Sequence, residues 1–190
     1  MSPRVLVAGV GNLFMRDDGF GTEVTRRMAT GSLPEGVRVG DFGVGSVHLV
    51  YELMDGCDLL VLVDAAPRGG QPGTLYVIEP ALAAPEDGEA GGTGAGGSEQ
   101  AGGALLDGHS LTPDGVLALI GGLGSRIGKV RVVGCEPASV EEGIGLTPAV
   151  EAAVDSAIGL VRGLIDEVVG PTDPGEDVTQ DDRTKGARHA

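Results

Sequence analysis

The sequence predicts an α/β protein, a three-layer sandwich in which a mostly parallel sheet of about five strands carries helices on both faces. Three observations carry that expectation. Strand-like and helix-like patterns alternate along most of the chain. The runs at residues 5–10 and 59–63 are apolar throughout, as parallel strands buried on both faces are. Thr-Pro pairs at 112–113 and 147–148 announce helix starts, because proline suits the first helical position.

Residues 5–10 form the first strand, which turns through Gly9 and Gly11 into Asn12 and the adjacent acids Asp17 and Asp18. Residues 22–28 read as a short helix with Phe20, Val24 and Met28 four apart, stopped by Gly31 and Pro34. A second strand covers 37–41. Ser46 then caps a helix whose Val47, Val50, Leu53 and Met54 are expected to face inward, ending near Gly56. The third strand is 58–64. Only a short link punctuated by Pro67, Gly69, Gly70, Pro72 and Gly73 separates it from the run at 74–78. A parallel crossover needs about a dozen residues, so the fourth strand is expected to run antiparallel at or near an edge.

Residues 81–104 hold 8 glycines in 24 positions and no aromatic, a composition that cannot bury enough apolar surface to order itself. A disordered insertion is expected there. Beyond it, Thr112-Pro113-Asp114 open a helix with Val116, Leu119 and Ile120 inward, and 129–135 make a fifth strand. Thr147-Pro148 start one long final helix with Val150, Val154, Ala157, Ile158, Val161, Ile165 and Val168 as its apolar stripe. Glu151, Asp155, Arg162 and Asp166 oppose that stripe. Residues 171–190 read as a disordered tail, leaving one domain over 1–170.

Composition narrows the function. With 41% hydrophobic residues but 3% aromatic and no Trp, the core must rest on Val, Leu, Ile and Ala. A net charge of −15, from 13 basic against 28 acidic residues, argues against nucleic acid as a partner, since a phosphate backbone needs clustered Lys and Arg. Cys57 and Cys135 are far apart and in no metal-type spacing, and Cys135, in an apolar strand, reads as a buried inert thiol. No signal peptide or spanning helix is apparent, so a cytoplasmic protein without membrane contact is expected.

In such sheets ligands bind at the carboxyl ends of the strands. That rule selects Asp17 and Asp18 after the first strand, Asp41 at the end of the second, Asp64 at the end of the third and Glu136 after the fifth. His109, in the loop entering a helix, can reach the same edge. Carboxylates with one imidazole suit a divalent transition metal such as Ni, Zn or Fe with positions left open. Each residue also has a plainer reading. Asp41 fits a solvated turn as well as a site, Glu136 before Pro137 fits a turn or hydrogen-bonding role, and His48 fits a packing or surface histidine. Gly9-Val10-Gly11 is the first half of a dinucleotide fingerprint, but its third glycine is replaced by Phe14, and Asp17 and Asp18 would repel a phosphate. There is no H-E-x-x-H, G-x-S-x-G or P-loop.

Gly9-Val-Gly-Asn-Leu-Phe-Met-Arg-Asp-Asp-Gly-Phe-Gly21, Leu62-Val-Asp-Ala65, His109, Gly134-Cys-Glu-Pro137 and Gly145-Leu-Thr-Pro-Ala-Val-Glu-Ala-Ala153 together resemble the hydrogenase maturation protease family. These are endopeptidases that trim the C-terminus of the large subunit of nickel-iron hydrogenases. The resemblance spans residues 4 to about 168 and leaves out 81–104 and the tail. It implies an α/β sandwich and a nickel-recognising site formed by Asp18, Asp64 and His109. Many relatives carry glutamate where Asp18 stands, one methylene longer. The resemblance also implies that the large-subunit precursor is the partner and that the nickel arrives in it. Asp17, Asp41 and Gly43, the last two in a glycine-rich loop at the same edge, are candidates for contact with the substrate. No catalytic base or nucleophile is assigned. Two other readings stand beside this one: a dinucleotide enzyme with Asp41 on the ribose, and a non-catalytic metal-binding accessory protein.

Overall fold

The computed structural model describes residues 2–44, 46–80 and 126–170. Five strands, β1 (Val5–Val10), β2 (Val37–Gly43), β3 (Cys57–Ala65), β4 (Leu75–Ile78) and β5 (Ile127–Cys135), form one sheet in the order β2-β1-β3-β5-β4. The pairs β1–β2, β1–β3 and β3–β5 are parallel, and β4 lies antiparallel on β5 at the edge. The expected edge strand is therefore present, and its direction follows from a link too short to carry the chain back along the sheet. The helices are α1 (Phe20–Met28), α2 (Ser46–Met54), α3 (Pro148–Glu151) and α4 (Val154–Val169). Among the described residues no helix is long and apolar enough to cross a membrane.

Strand alternation divides the apolar runs between two cores. Val5 and Val7 of β1, with Leu59, Val61 and Val63 of β3, pack against Phe20, Val24 and Met28 of α1 and Val154, Ala157, Val161 and Ile165 of α4. Leu6, Ala8, Val10, Leu60 and Leu62 point the other way, to Leu49 and Leu53 of α2. Every residue from Val5 to Val10 is buried because both faces are covered, which is why the run shows no alternation in sequence. Each such Val or Leu stabilises the fold by about 1.5–3 kcal/mol when fully buried.

Two expectations are corrected here. On α2, Met54 is 61% exposed and Leu49 is buried in its place, so the inward stripe runs Leu49 to Leu53, one turn apart. The final helix is two helices, because Ala153 donates to the Val150 carbonyl three residues back, a tightened turn that separates α3 from α4. Val150 and Val154 reach the core from either side of it. The expected insertion at 81–104, the helix after Thr112, and the tail at 171–190 lie outside the described residues.

The placement of α1 rests on a glycine contact. A β-carbon on Gly21 would collide with the carbonyl oxygens of Val63 and Val10, and one on Gly9 with the carbonyl of Gly21. Bare backbone at both positions lets α1 start hard against β1 and β3, directly after the acidic loop. Gly21→Ala is expected to cost about 3 kcal/mol or more in chemical denaturation, since the obstructing atoms are backbone and cannot rotate away. A loss below about 1 kcal/mol would show that α1 can retreat without harm.

Candidate functional site

The parallel strands bring the ends of β1, β2, β3 and β5 to one edge of the sheet. After β1 the chain passes through Gly11, whose φ of +123° suits glycine, and folds back so tightly that the Asp18 carbonyl fills the space a β-carbon would take. The Asn12 N–H donates to Asp18 Oδ2 at 2.8 Å, and Asn12 Oδ1 accepts from the Phe14 N–H at 3.0 Å. Asp18 is thus carried on a short 3-10 turn (Arg16–Gly19) and half-buried. Asp64, 8% exposed near the end of β3, accepts the Ala65 N–H at 2.8 Å. A β-carbon on Gly11 would sit 3.7 Å from Asp64 Oδ1, so the Asp64 carboxyl and the Asp18 backbone carbonyl both face this glycine.

Burial pushes the Asp64 carboxyl up to about 8; the Ala65 N–H opposes the shift and the charge of Asp18 adds to it. A divalent cation held between the two acids would compensate both and displace the proton. Among the described residues no group of three or more His, Cys, Asp or Glu side chains is arranged to hold a metal. The structure brings the charge of Asp18 within electrostatic reach of Asp64, while His109 lies outside the described residues.

Asp17 occupies a different setting from its neighbour. It is fully buried and accepts from the Ala138 N–H at 2.8 Å, the Ser139 N–H at 3.0 Å, and the Thr147 N–H and hydroxyl at 2.6 and 2.9 Å. Burial raises its pKa, but the donors from Thr147, Ser139 and Ala138 together hold it below the ordinary value. Its carboxylate clamps the acidic loop to the loop that leads into α3. The sequence suggested contact with substrate for Asp17, and the structure gives its carboxylate this clamping role instead. Its partners lie 121 to 130 residues away in the chain, and no spacing pattern signals them.

Asp41 is exposed, and its Oδ1 accepts from the Thr22 hydroxyl and the Gly43 N–H, both at 2.9 Å, joining the end of β2 to α1. Gly43 has a φ of +52°, and its carbonyl accepts the Gly11 N–H at 3.0 Å across a register shift between β1 and β2. Gly43 thus borders Gly11, and Asp41 sits across from Gly9 in the β1–β2 register. Buried Glu136 accepts from the Arg68 and Gly69 N–H groups at 2.9 and 3.0 Å and from the Tyr76 hydroxyl at 2.8 Å, a hydrogen-bonding role that shapes the loop after β3. His48 is exposed on α2. Burial pushes the Cys57 and Cys135 thiols up to about 11, and neither is a nucleophile at neutral pH.

No protein-family model matches the chain. It is 31% identical over 157 residues to hydrogenase expression/formation protein HupD of Rhodobacter capsulatus, covering 82% of this chain and 68% of that one. To the hydrogenase 2 maturation protease of Escherichia coli it is 28% identical over 170 residues, covering 86% and 92%. Its fold matches the solved hydrogenase maturating endopeptidase HybD of E. coli with a TM-score of 0.65 at 26% identity, covering 86% of this chain and 93% of that one. A hydrogenase 2 maturation peptidase from a Thaumarchaeota archaeon matches with a TM-score of 0.57 at 27% identity, covering 85% and 97%.

An open, mostly parallel sheet, alike in sequence and fold to solved endopeptidases, makes this chain a peptide-bond hydrolase. More narrowly, the chain belongs to the hydrogenase maturation protease family. The dinucleotide reading gives way to that membership, and Asp41, which it placed on a ribose, is engaged with Thr22 and Gly43.

Proposed function

We propose that this protein is an endopeptidase that removes a C-terminal peptide from the large-subunit precursor of a nickel-iron hydrogenase once nickel has been inserted. The observation that carries the proposal is the Asp64 carboxyl, buried at the end of β3 beside Gly11 and pushed up to about 8, with the charge of Asp18 adding to that shift. Nickel in the precursor is part of the substrate. Asp18 and Asp64 would offer it oxygen ligands, and His109 a nitrogen, so that only a loaded precursor is seated with its scissile bond at the sheet edge. A metal ion at that bond polarises the carbonyl or activates water for attack. Asp41 and Gly43, at the same edge of the sheet, would border the bound tail. The cytoplasm, where such a precursor is assembled, is the proposed location.

The test is the intact mass of the partner large subunit purified from nickel-supplied cells with and without this protein. Loss of a short C-terminal peptide only when both protein and nickel are present is the expected result. An unchanged mass would move the function to a non-catalytic metal-binding accessory role.

A further inference from the structure

Beside the acid pair, the fold leaves four apolar side chains in solvent: Leu13 at 49% exposure, Phe14 at 69%, Val140 at 47% and Ile144 at 84%. Scattered exposed hydrophobics need no explanation, but these four share one construction. They lie on two loops zipped by backbone hydrogen bonds, from the Gly143 N–H to the Phe14 carbonyl at 2.8 Å, the Arg16 N–H to the Gly143 carbonyl at 2.9 Å and the Asp17 N–H to the Ser139 carbonyl at 3.1 Å. The Arg16 side chain lies over Gly143, and the buried Asp17 carboxylate clamps both loops from below. The apolar groups are therefore held on a fixed ledge.

The ledge is continuous with the acid pair. Asn12 takes the Phe14 N–H on its side chain and gives its own N–H to Asp18, so Phe14 and the Asp18 carboxylate are positioned by one residue. A peptide whose scissile bond sits at Asp18 and Asp64 can reach these side chains through the Asn12 turn that links Phe14 to Asp18. The exposed acids Glu141 and Glu142 on the same loop disfavour an acidic segment there, while the four apolar groups offer contact to an apolar side chain.

We propose that Phe14 and Ile144, flanked by Leu13 and Val140, form the subsite that receives an apolar side chain of the precursor next to the scissile bond, and that they set the peptide specificity of the reaction. The proposal rests on the reading of this chain as the precursor-processing endopeptidase. Contacts of this kind bind ground state and transition state alike, so their loss is read in KM rather than kcat.

The experiment is steady-state cleavage of purified nickel-loaded large-subunit precursor by the wild-type protein, Phe14→Ser, Ile144→Ser and the double variant. Tyr51→Ser serves as the control, since Tyr51 is 66% exposed on α2, which packs on the sheet face opposite α1. KM is expected to rise about tenfold for each single variant and further for the double, with kcat and the thermal midpoint little changed and the control unaffected. Wild-type KM in both single variants, or a fall in kcat at constant KM, overturns the subsite while the endopeptidase reading stands. If the wild-type protein leaves the loaded precursor intact, the endopeptidase reading fails, and the subsite falls with it.

Discussion

Asp64→Asn is expected to stop precursor processing while making the domain more stable. The activity loss follows from removing one of the two carboxylates proposed to offer oxygen ligands to the substrate's nickel, and a drop of about a hundredfold or more in kcat/KM is expected. The stability gain follows from burial. Asp64 is 8% exposed, its carboxyl is pushed up to about 8, and asparagine keeps both the shape and an acceptor for the Ala65 N–H. In the unfolded chain an aspartate titrates near 4, so between about pH 4 and about pH 8 the folded state holds a proton that the unfolded state has released. Wild-type stability is therefore full below that window and falls as pH rises through it, by up to about 1.4 kcal/mol per pH unit from this group. The asparagine variant lacks that slope. Urea denaturation at about pH 5 and about pH 8 reads it directly, because the variant's advantage must widen at the higher pH. A variant less stable than wild type at both would show that Asp64 holds the fold together rather than being tolerated by it.

The opposite pattern is expected one residue from Asp18. Asp17→Ala removes the shared acceptor of three backbone N–H groups and one hydroxyl in a fully buried position. Leaving those donors unsatisfied is expected to cost about 4 kcal/mol or more, and the loops they belong to would separate. Asp17→Asn should be milder, keeping one acceptor oxygen while turning an NH₂ toward existing donors. The pH signature also differs from that of Asp64. The folded pKa of Asp17 is depressed, so its contribution is complete above the ordinary carboxylate range and is lost as pH falls through the folded value. Denaturation midpoints for wild type and Asp17→Ala measured from neutrality down into the acid range should therefore converge. A gap that stays constant to low pH would mean that the ionised carboxylate is not what the clamp uses.

These two aspartates also show what the sequence could and could not disclose. The strand-end rule picked out Asp64, which follows five apolar residues, and the adjacent Asp17 and Asp18 after β1 without separating them; only the family resemblance pointed to Asp18. The role of Asp17 depends on Ser139 and Thr147, whose approach only the folded chain creates. Link length made the direction of β4 legible, since geometry alone forbids a crossover in so few residues. The facing of α2 was not legible, because Val47, Leu49, Val50, Leu53 and Met54 spread around a nine-residue helix and leave its rotation to be set by packing. Nor was the break before α4, which falls at Ala152 and Ala153, residues of high intrinsic helix propensity.

The most direct test of nickel-read cleavage is a single-turnover comparison of nickel-loaded and nickel-stripped large-subunit precursor, each incubated with purified wild-type protein and followed by intact mass. Cleavage of the loaded precursor alone, abolished by Asp18→Asn, is the predicted result. Equal cleavage of both precursors would contradict it, because Asp18 and Asp64 would then act without the substrate's metal.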